Sequence, residues 1–324
     1  MDLITLFETN KNIIKEDNPV NNLKDFKNIK VFVHTYSKTG TTTLARSFQY
    51  CIDKTTDYKN VSHSHSKYCF RIYLKLDNTF NIKQLINLQL NKPLIIQSYR
   101  NPFDRLLSSY YFSYKNKHSF NAFLLNYILN NVEYFNYIDE LNINYDNKIF
   151  NYERGYGFEK KEDFYILHTR LDKINNLSDN IKLISELKEF HNLSIIKDNV
   201  NRSKEYIEFK NKLKIPKELI DLILFKEKSV MEFYFSNDEI TNIKVKLQDI
   251  SITDYDWNKT FPNLPNDFNY ITYLKDNNVI IENLPLYNKL LLLNNFNNNN
   301  NNNNNLLNNY LKLYAIYYYS KSFK

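Results

Sequence analysis

Glycine and cysteine are the residues that this sequence has least of. Only 3 of its 324 residues are glycine and 2 are cysteine, whereas an average composition would include roughly 23 glycines. We interpret the depletion as a composition bias, so the glycines that persist mark positions where another residue is hard to accommodate. They are Gly40, Gly155 and Gly157. The cysteines, Cys51 and Cys69, are too few for a disulfide framework or a four-cysteine metal site, which fits a reducing compartment.

Long apolar runs are also missing. No stretch approaches the about 18 apolar residues that a membrane-spanning helix needs, and residues 1–16 lack the apolar segment of a signal peptide. We therefore expect a cytoplasmic protein with no membrane span. The formal net charge of +7 favours anionic partners without demanding nucleic acid. With 43% hydrophobic residues, the chain has material for the core of one large domain or two ordinary ones.

Two stretches have the pattern of a strand followed by a loop and a helix. In the first, residues 31–33 form a β-branched and aromatic run typical of a strand buried on both faces. Residues 37–43 form a loop after this run, and apolar residues then recur at helical spacing over residues 44–52. In the second, the apolar run 94–96 is followed by residues 100–102, where an asparagine cap and a proline open a helix.

The rest of the sequence extends this alternation. A third core strand is predicted over residues 164–167, and helices are predicted over residues 120–141, 178–190, 216–225 and 236–247. Alternating strands and helices predict an α/β domain with a central parallel sheet flanked by helices, over residues 28–250. The remaining segments are an amino-terminal arm (1–27), an extension (251–293), an asparagine-rich disordered linker (294–309) and a C-terminal tail that docks back as a short helix (310–324).

The loop between the first predicted strand and its helix is suited to binding an anion. Backbone N–H groups at a helix start, together with the helix dipole, attract negative charge. Gly40 allows the backbone to approach a ligand closely, Lys38 adds a mobile charge, and threonine hydroxyls add donors. The alternative is a threonine-rich helix cap with no ligand. An ATP-binding P-loop fits poorly, because its lysine follows a second glycine, whereas Lys38 precedes the only glycine of this loop. The predicted binding residues are Lys38, Thr39, Gly40, Thr41, Thr42 and Thr43.

A second anion site is predicted at the next junction between a strand and a helix. Arg100 stands at the carboxyl end of the second predicted strand, and Ser108 lies in the helix that follows. Ligands of doubly wound sheets bind beyond the carboxyl ends of the strands, so Arg100 could bind a phosphate through its guanidinium fork, with Ser108 adding a hydroxyl donor. The alternative is that Arg100 pairs with a carboxylate and Ser108 is only solvated.

These two motifs resemble those of sulfotransferases, enzymes that use 3′-phosphoadenosine 5′-phosphosulfate (PAPS). The sequence KTGTT at residues 38–42, with Leu44, is similar to their 5′-phosphosulfate-binding loop. The sequence RNPFDR at residues 100–105, with Ser108 and Tyr110, is similar to their 3′-phosphate-binding strand and helix. The resemblance is closest to glycan-modifying members, including a group linked to capsular polysaccharide synthesis. It covers residues 28–248 and is strong in these two motifs.

The resemblance implies a three-layer, P-loop-like fold and transfer of a sulfuryl group from PAPS to a hydroxyl acceptor, expected to be a carbohydrate. Lys38 and the amides of residues 40–42 would hold the 5′-phosphosulfate, and Lys38 would neutralise charge on the bridging oxygen. Arg100 and Ser108 would hold the 3′-phosphate, and the product would be 3′,5′-bisphosphoadenosine (PAP). A sulfuryl group carries less negative charge than a phosphoryl group, so a protein cation can take the place of Mg²⁺ and we expect no metal.

The acceptor hydroxyl needs a base, and two histidines are candidates. His63 and His65 alternate where a further strand would end, so both rings would point to one side of it. Some glycan sulfotransferases carry a similar pair, and we favour His65 over His63 as the catalytic base. The alternatives are a structural histidine pair and, less favoured, a zinc site completed by Cys69.

Two departures from the family pattern and two competing hypotheses stay open. Ser37 replaces the proline commonly seen before the loop lysine, and the glycine-rich segment of small-molecule sulfotransferases is absent. Residues 154–157 fit either a plain turn or an acceptor loop, and His168, Arg170 and Asp172 receive no role. The competing hypotheses are a nucleotide-dependent kinase with an atypical phosphate loop and a non-catalytic nucleotide-binding module.

Overall fold

A computed structural model describes most of the chain. The described residues are 29–35, 38–55, 60–64, 91–116, 119–129, 149–196, 203–284, 286–296 and 301–321. The predicted arm over residues 1–27 lies outside them. The strands in the described residues are β1 (Val31–His34), β2 (Val61–Ser64), β3 (Leu94–Tyr99), β4 (Phe150–Asn151), β5 (Tyr156–Lys160), β6 (Tyr165–Arg170), β7 (Ile215–Pro216) and β8 (Ser251–Ile252).

Helices connect and follow these strands. The α-helices are α1 (Thr41–Asp53), α2 (Pro102–Ser113), α3 (Phe120–Leu129), α4 (Leu177–Lys182), α5 (Lys204–Asn211), α6 (Lys217–Lys226), α7 (Lys228–Tyr234), α8 (Asn237–Gln248), α9 (Tyr270–Asp276), α10 (Tyr287–Phe296) and α11 (Asn301–Lys321). Short 3₁₀ helices are Leu171–Asn176, Ser185–Phe190, Trp257–Lys259 and Ile281–Asn283.

Six strands form one mainly parallel sheet in the order β2-β1-β3-β6-β5-β4. The strands β2, β1, β3 and β6 run parallel. At one edge β5 is antiparallel to β6, and β4 is antiparallel to β5. The predicted α/β class, a parallel central sheet flanked by helices, is confirmed in this coarse form. The antiparallel edge is a difference, and it arises because a short turn can join only antiparallel neighbours.

The described chain divides into two compact units. The first unit takes its described residues from 29–101, 149–196 and 229–236, and the second from 102–129, 203–228 and 237–321. The first unit therefore contains the six-stranded sheet, and the second contains helices together with the parallel pair of β7 and β8. The domain predicted over residues 28–250 contributes to both units.

Alternation along the strands gives the sheet two buried faces in the first unit. One face packs against α1, α4 and the 3₁₀ helix that follows α4, through an apolar cluster that includes Val31, Val33, Leu94, Ile96, Leu167, Leu44, Phe48 and Phe190. The residues between them point to the other face, where Tyr234 of α7 stacks on Tyr99 of β3 with ring centroids 4.9 Å apart. Burial on both faces explains the continuous apolar runs of β1 and β3.

Two predicted helices differ from the structure. The helix predicted over residues 178–190 is divided, because α4 ends at Lys182 and Ile184 is extended before the 3₁₀ helix Ser185–Phe190 begins. The break lets Ile184 and Leu187 pack into the cluster of the first unit. The helix predicted over residues 120–141 is α3, which ends at Leu129, and residues 130–141 lie outside the described part.

The asparagine-rich tract differs from the predicted disordered linker over residues 294–309. Helix α10 extends to Phe296, and α11 begins at Asn301 and includes the asparagines up to residue 309. The later part of α11 packs Tyr310, Leu313 and Ile316 into the core of the second unit. Adding residues to a helix that is already packed costs little free energy, because each added residue forms one more hydrogen bond. Asparagine in a helix costs at most about 0.7 kcal/mol relative to alanine.

No helix among the described residues combines the length and apolar character needed to cross a membrane.

Candidate functional site

In the loop that connects β1 to α1, two residues have left-handed backbone, and at the non-glycine one, Lys38, this conformation is strained. Lys38 has φ 63° and Gly40 has φ 87°, in the left-handed region that costs an L-residue about 1–2 kcal/mol. Gly40 is the N-cap of α1, and this helix has no side-chain cap hydrogen bond there and no acidic residue in its first turn. The start of α1 therefore lacks an anionic side chain of its own, which favours an external anion at the positive end of the helix dipole.

Close packing also explains why residue 40 is glycine. A Cβ atom at this position would lie 2.6 Å from Cδ1 of Leu171 and 3.5 Å from Cδ1 of Ile174. Both side chains belong to the 3₁₀ helix that follows β6. Gly40 thus resists replacement for two physical reasons, its positive φ and its close contact with this helix.

Two of the predicted threonine donors point into the protein. Thr39 Oγ1 donates to Thr35 Oγ1 at 2.9 Å, and Thr35 Oγ1 lies 2.6 Å from Thr41 Oγ1. All three residues are buried. Their hydroxyls therefore join the loop to the end of β1, and the half-buried Thr42 and Thr43 are the loop threonines nearer to solvent.

The end of β3 is bonded to this loop at two points. Arg100 donates from Nη1 to the Lys38 carbonyl oxygen at 3.4 Å. The buried Ser98 donates from Oγ to the Thr39 carbonyl oxygen at 2.7 Å. The structure thus brings together Lys38, Thr39 and Arg100, which sequence reasoning placed at two separate junctions. Sequence reasoning missed Ser98, because a single serine in a strand carries no local signal.

The order of the strands places this arrangement where ligands of α/β sheets bind. Strand β1 has β2 on one side and β3 on the other, although β3 follows β2 in the chain. Such a reversal of strand order opens a crevice at the carboxyl ends of the two diverging strands. The loop follows β1 and Arg100 follows β3, so both flank this point.

The other predicted site residues have different positions. Ser108 is buried in α2, which belongs to the second unit. His63 lies in β2 with its backbone paired to Val33 of β1, and its side chain lies outside what the structure describes. His65 and Cys69 lie outside the described residues, so the predicted base and the zinc alternative stay predictions.

Arg105, part of the second motif, has a structural role in the second unit. Its Nη2 lies 2.9 Å from Oε1 of Glu227 and 3.0 Å from the Tyr127 hydroxyl. Tyr127 also donates its hydroxyl to Glu227. Both charged side chains are almost fully buried, and burial raises the pKa of Tyr127. The pair joins α2 to the junction of α6 and α7, which the spacing of the motif could not reveal.

His168 belongs to a buried polar chain in the first unit. Its Nε2 lies 2.8 Å from Oε1 of Glu159, and its Nδ1 lies 3.1 Å from the Tyr234 hydroxyl. Burial lowers the pKa of His168 against the opposing effect of Glu159. Burial acts to raise the pKa of Glu159, but hydrogen bonds from His168 and Lys161 outweigh it and the pKa is lowered. A neutral His168 therefore donates to Glu159 and accepts from Tyr234, which attaches α7 to the sheet.

Arg170, the last residue of β6, is likewise engaged within the protein. It forms a two-point ion pair with Asp172, at 3.0 Å from Nε and 2.6 Å from Nη2, and its Nη1 donates to the Tyr234 carbonyl oxygen at 3.3 Å. Its guanidinium also lies 4.3 Å from the ring centre of Phe235. Arg170, to which the sequence assigned no role, therefore holds the end of α7.

Among the described residues, no group of three or more histidine, cysteine, aspartate or glutamate side chains could hold a metal ion. Comparisons of the chain with protein-family models, curated proteins and solved structures found no match.

Proposed function

We propose that this chain is a sulfotransferase that moves the sulfuryl group of PAPS to a hydroxyl, with a carbohydrate as the expected acceptor. The observation that carries the proposal is the contact between the two predicted anion motifs. Arg100 Nη1 lies 3.4 Å from the Lys38 carbonyl oxygen, so the guanidinium and the loop lie side by side at the carboxyl ends of β1 and β3. One ligand with two anionic groups can therefore reach both, as a P-loop-like fold would allow.

The residues present fit a nucleotide with two anionic groups. The start of α1 offers backbone N–H groups and the positive end of its dipole, and Lys38 adds a positive charge. Arg100 has five N–H donors, and one of them is used on Lys38. Among the described residues, Arg100 forms no ion pair with a carboxylate, so the alternative of a carboxylate partner for Arg100 has no support in this part of the chain.

The proposed reaction gives each group a defined task. The acceptor oxygen forms a bond to sulfur while the bond from sulfur to the bridging oxygen breaks, and the acceptor proton passes to a base. Lys38 would neutralise the charge that grows on the bridging oxygen. His65, or His63, is the predicted base. Ser108 is a predicted contact of the 3′-phosphate, and no metal is part of the proposal.

Binding of the product PAP tests the proposal directly. At about a hundredfold excess over its dissociation constant, PAP should stabilise the folded protein by about 2.7 kcal/mol, measured as a thermal shift. Lys38→Ala and Arg100→Ala should each lose most of this shift. Lys54→Ala is a matched control for Lys38→Ala, because Lys54 has a φ of 61° and caps the opposite end of α1. It should keep the full shift.

The outcomes separate the competing functions. A wild-type protein that PAP does not stabilise, or an equal loss of the shift in Lys54→Ala, would count against the proposal. Stabilisation by ATP with Mg²⁺ but not by PAP would favour the kinase hypothesis. Binding of PAP without transfer of label from PAPS to any pool of glycans, phenols or lipids would favour a non-catalytic binding module.

A further inference from the structure

Thr39 is held in place by two hydrogen bonds. It has no exposed surface. Its hydroxyl donates to Thr35 Oγ1 at 2.9 Å, and its carbonyl oxygen accepts from Ser98 Oγ at 2.7 Å. The loop is therefore attached to the end of β1 through a hydroxyl and to β3 through a backbone carbonyl.

The carbonyl bonds determine where the loop amides point. A trans peptide places its C=O and N–H groups on opposite sides, and no described peptide bond is cis. Because Ser98 holds the Thr39 carbonyl, the N–H of Gly40 points away from Ser98. Arg100 contacts the Lys38 carbonyl oxygen, so by the same argument the N–H of Thr39 points away from the Arg100 guanidinium. Anion binding by a loop depends on amides held in such fixed directions.

We infer that Ser98 is a positioning residue for the anion-binding loop. Its hydroxyl holds the Thr39 peptide so that the loop amides keep the orientation that binds the nucleotide. This inference rests on the proposed function. The left-handed backbone of Lys38 makes the support necessary, because strained conformations persist only where the surrounding structure determines them. Ser98 acts through the loop backbone rather than on the reacting atoms.

The hydroxyl can be tested with variants of matched volume. Ser98→Thr keeps a hydroxyl and Ser98→Val replaces it with a methyl group of similar size, while Ser98→Ala removes it outright. Ser47→Ala is the control, since Ser47 is buried in the same unit and donates to the Thr43 carbonyl oxygen at 2.7 Å within α1. The dissociation constant of PAP, measured by titration calorimetry, is expected to rise about tenfold in Ser98→Ala and Ser98→Val. It should stay near the wild-type value in Ser98→Thr and Ser47→Ala.

Amide hydrogen exchange gives a second readout that needs no ligand. In Ser98→Val the amide of Leu44, which donates to the Gly40 carbonyl oxygen at 2.9 Å, should exchange at least about tenfold faster, and it should keep its protection in Ser98→Thr and Ser47→Ala. Equal PAP affinity and equal protection in the valine and threonine variants would overturn the inference and leave the proposed function standing. A wild-type protein that binds no PAP would overturn both.

Discussion

Replacing Gly40 by alanine tests whether the loop needs a residue without a side chain. The new Cβ would lie 2.6 Å from Cδ1 of Leu171, and the backbone has φ 87°. Left-handed backbone costs alanine about 1–2 kcal/mol, and a stiffer unfolded chain offsets about 0.4–1 kcal/mol of this. The overlap with Leu171 adds about 1–3 kcal/mol. The unfolding free energy should therefore fall by about 1–5 kcal/mol.

Gly155→Ala is the matched control for this substitution. Gly155 has φ 73°, and a Cβ there would lie 2.5 Å from Cβ of Lys173. It belongs to the same unit but lies in the turn between β4 and β5. Chemical denaturation should show comparable losses of stability in the two variants. Calorimetry should show at least about tenfold weaker PAP binding in Gly40→Ala alone, because only that variant displaces the amides of the loop.

A second substitution separates the two costs. In a Leu171→Ala background the steric overlap is removed, so Gly40→Ala should cost only the net backbone strain, about 1 kcal/mol. Wild-type stability in Gly40→Ala would refute the physical account of this glycine. Equal losses of PAP affinity in Gly40→Ala and Gly155→Ala would show that affinity follows general stability rather than the shape of the loop.

Two further predictions concern buried charges. Glu227→Ala should lower the unfolding free energy by about 3–5 kcal/mol in chemical denaturation, since it leaves Arg105 buried without its carboxylate. Asp221→Ala, which removes an exposed ion pair, should cost at most about 1 kcal/mol, and equal costs would contradict this reasoning. Burial lowers the pKa of His168 below its ordinary 6.5, so the unfolded chain binds this proton more readily and stability should fall as the pH drops below 6.5. His168→Gln should remove this part of the slope of melting temperature against pH; an unchanged slope above pH 4.5, the ordinary pKa of Glu159, would refute the assignment.

Much of the candidate site could be predicted because its signals are local. A short apolar run followed by Gly40 and a helical period located the loop, and Arg100 follows the next such run. Each signal depends on neighbours within a few residues, since strand and helix periods reflect local burial. The directions of the Thr39 and Thr41 hydroxyls could not be predicted, because a hydroxyl can bond either to a ligand or to a buried partner.

The amino-acid sequence by itself determined the α/β class, the positions of β1 and β3, and the chemistry of the residues that follow them. Only the tertiary structure decided that these two strands are neighbours, that Ser98 holds the Thr39 carbonyl, and that Arg105 is buried against Glu227. The partners in the last two contacts are 59 and 122 residues apart. The pattern around one residue records how deeply it is buried, but the identity of a distant partner depends on how the strands are ordered and packed.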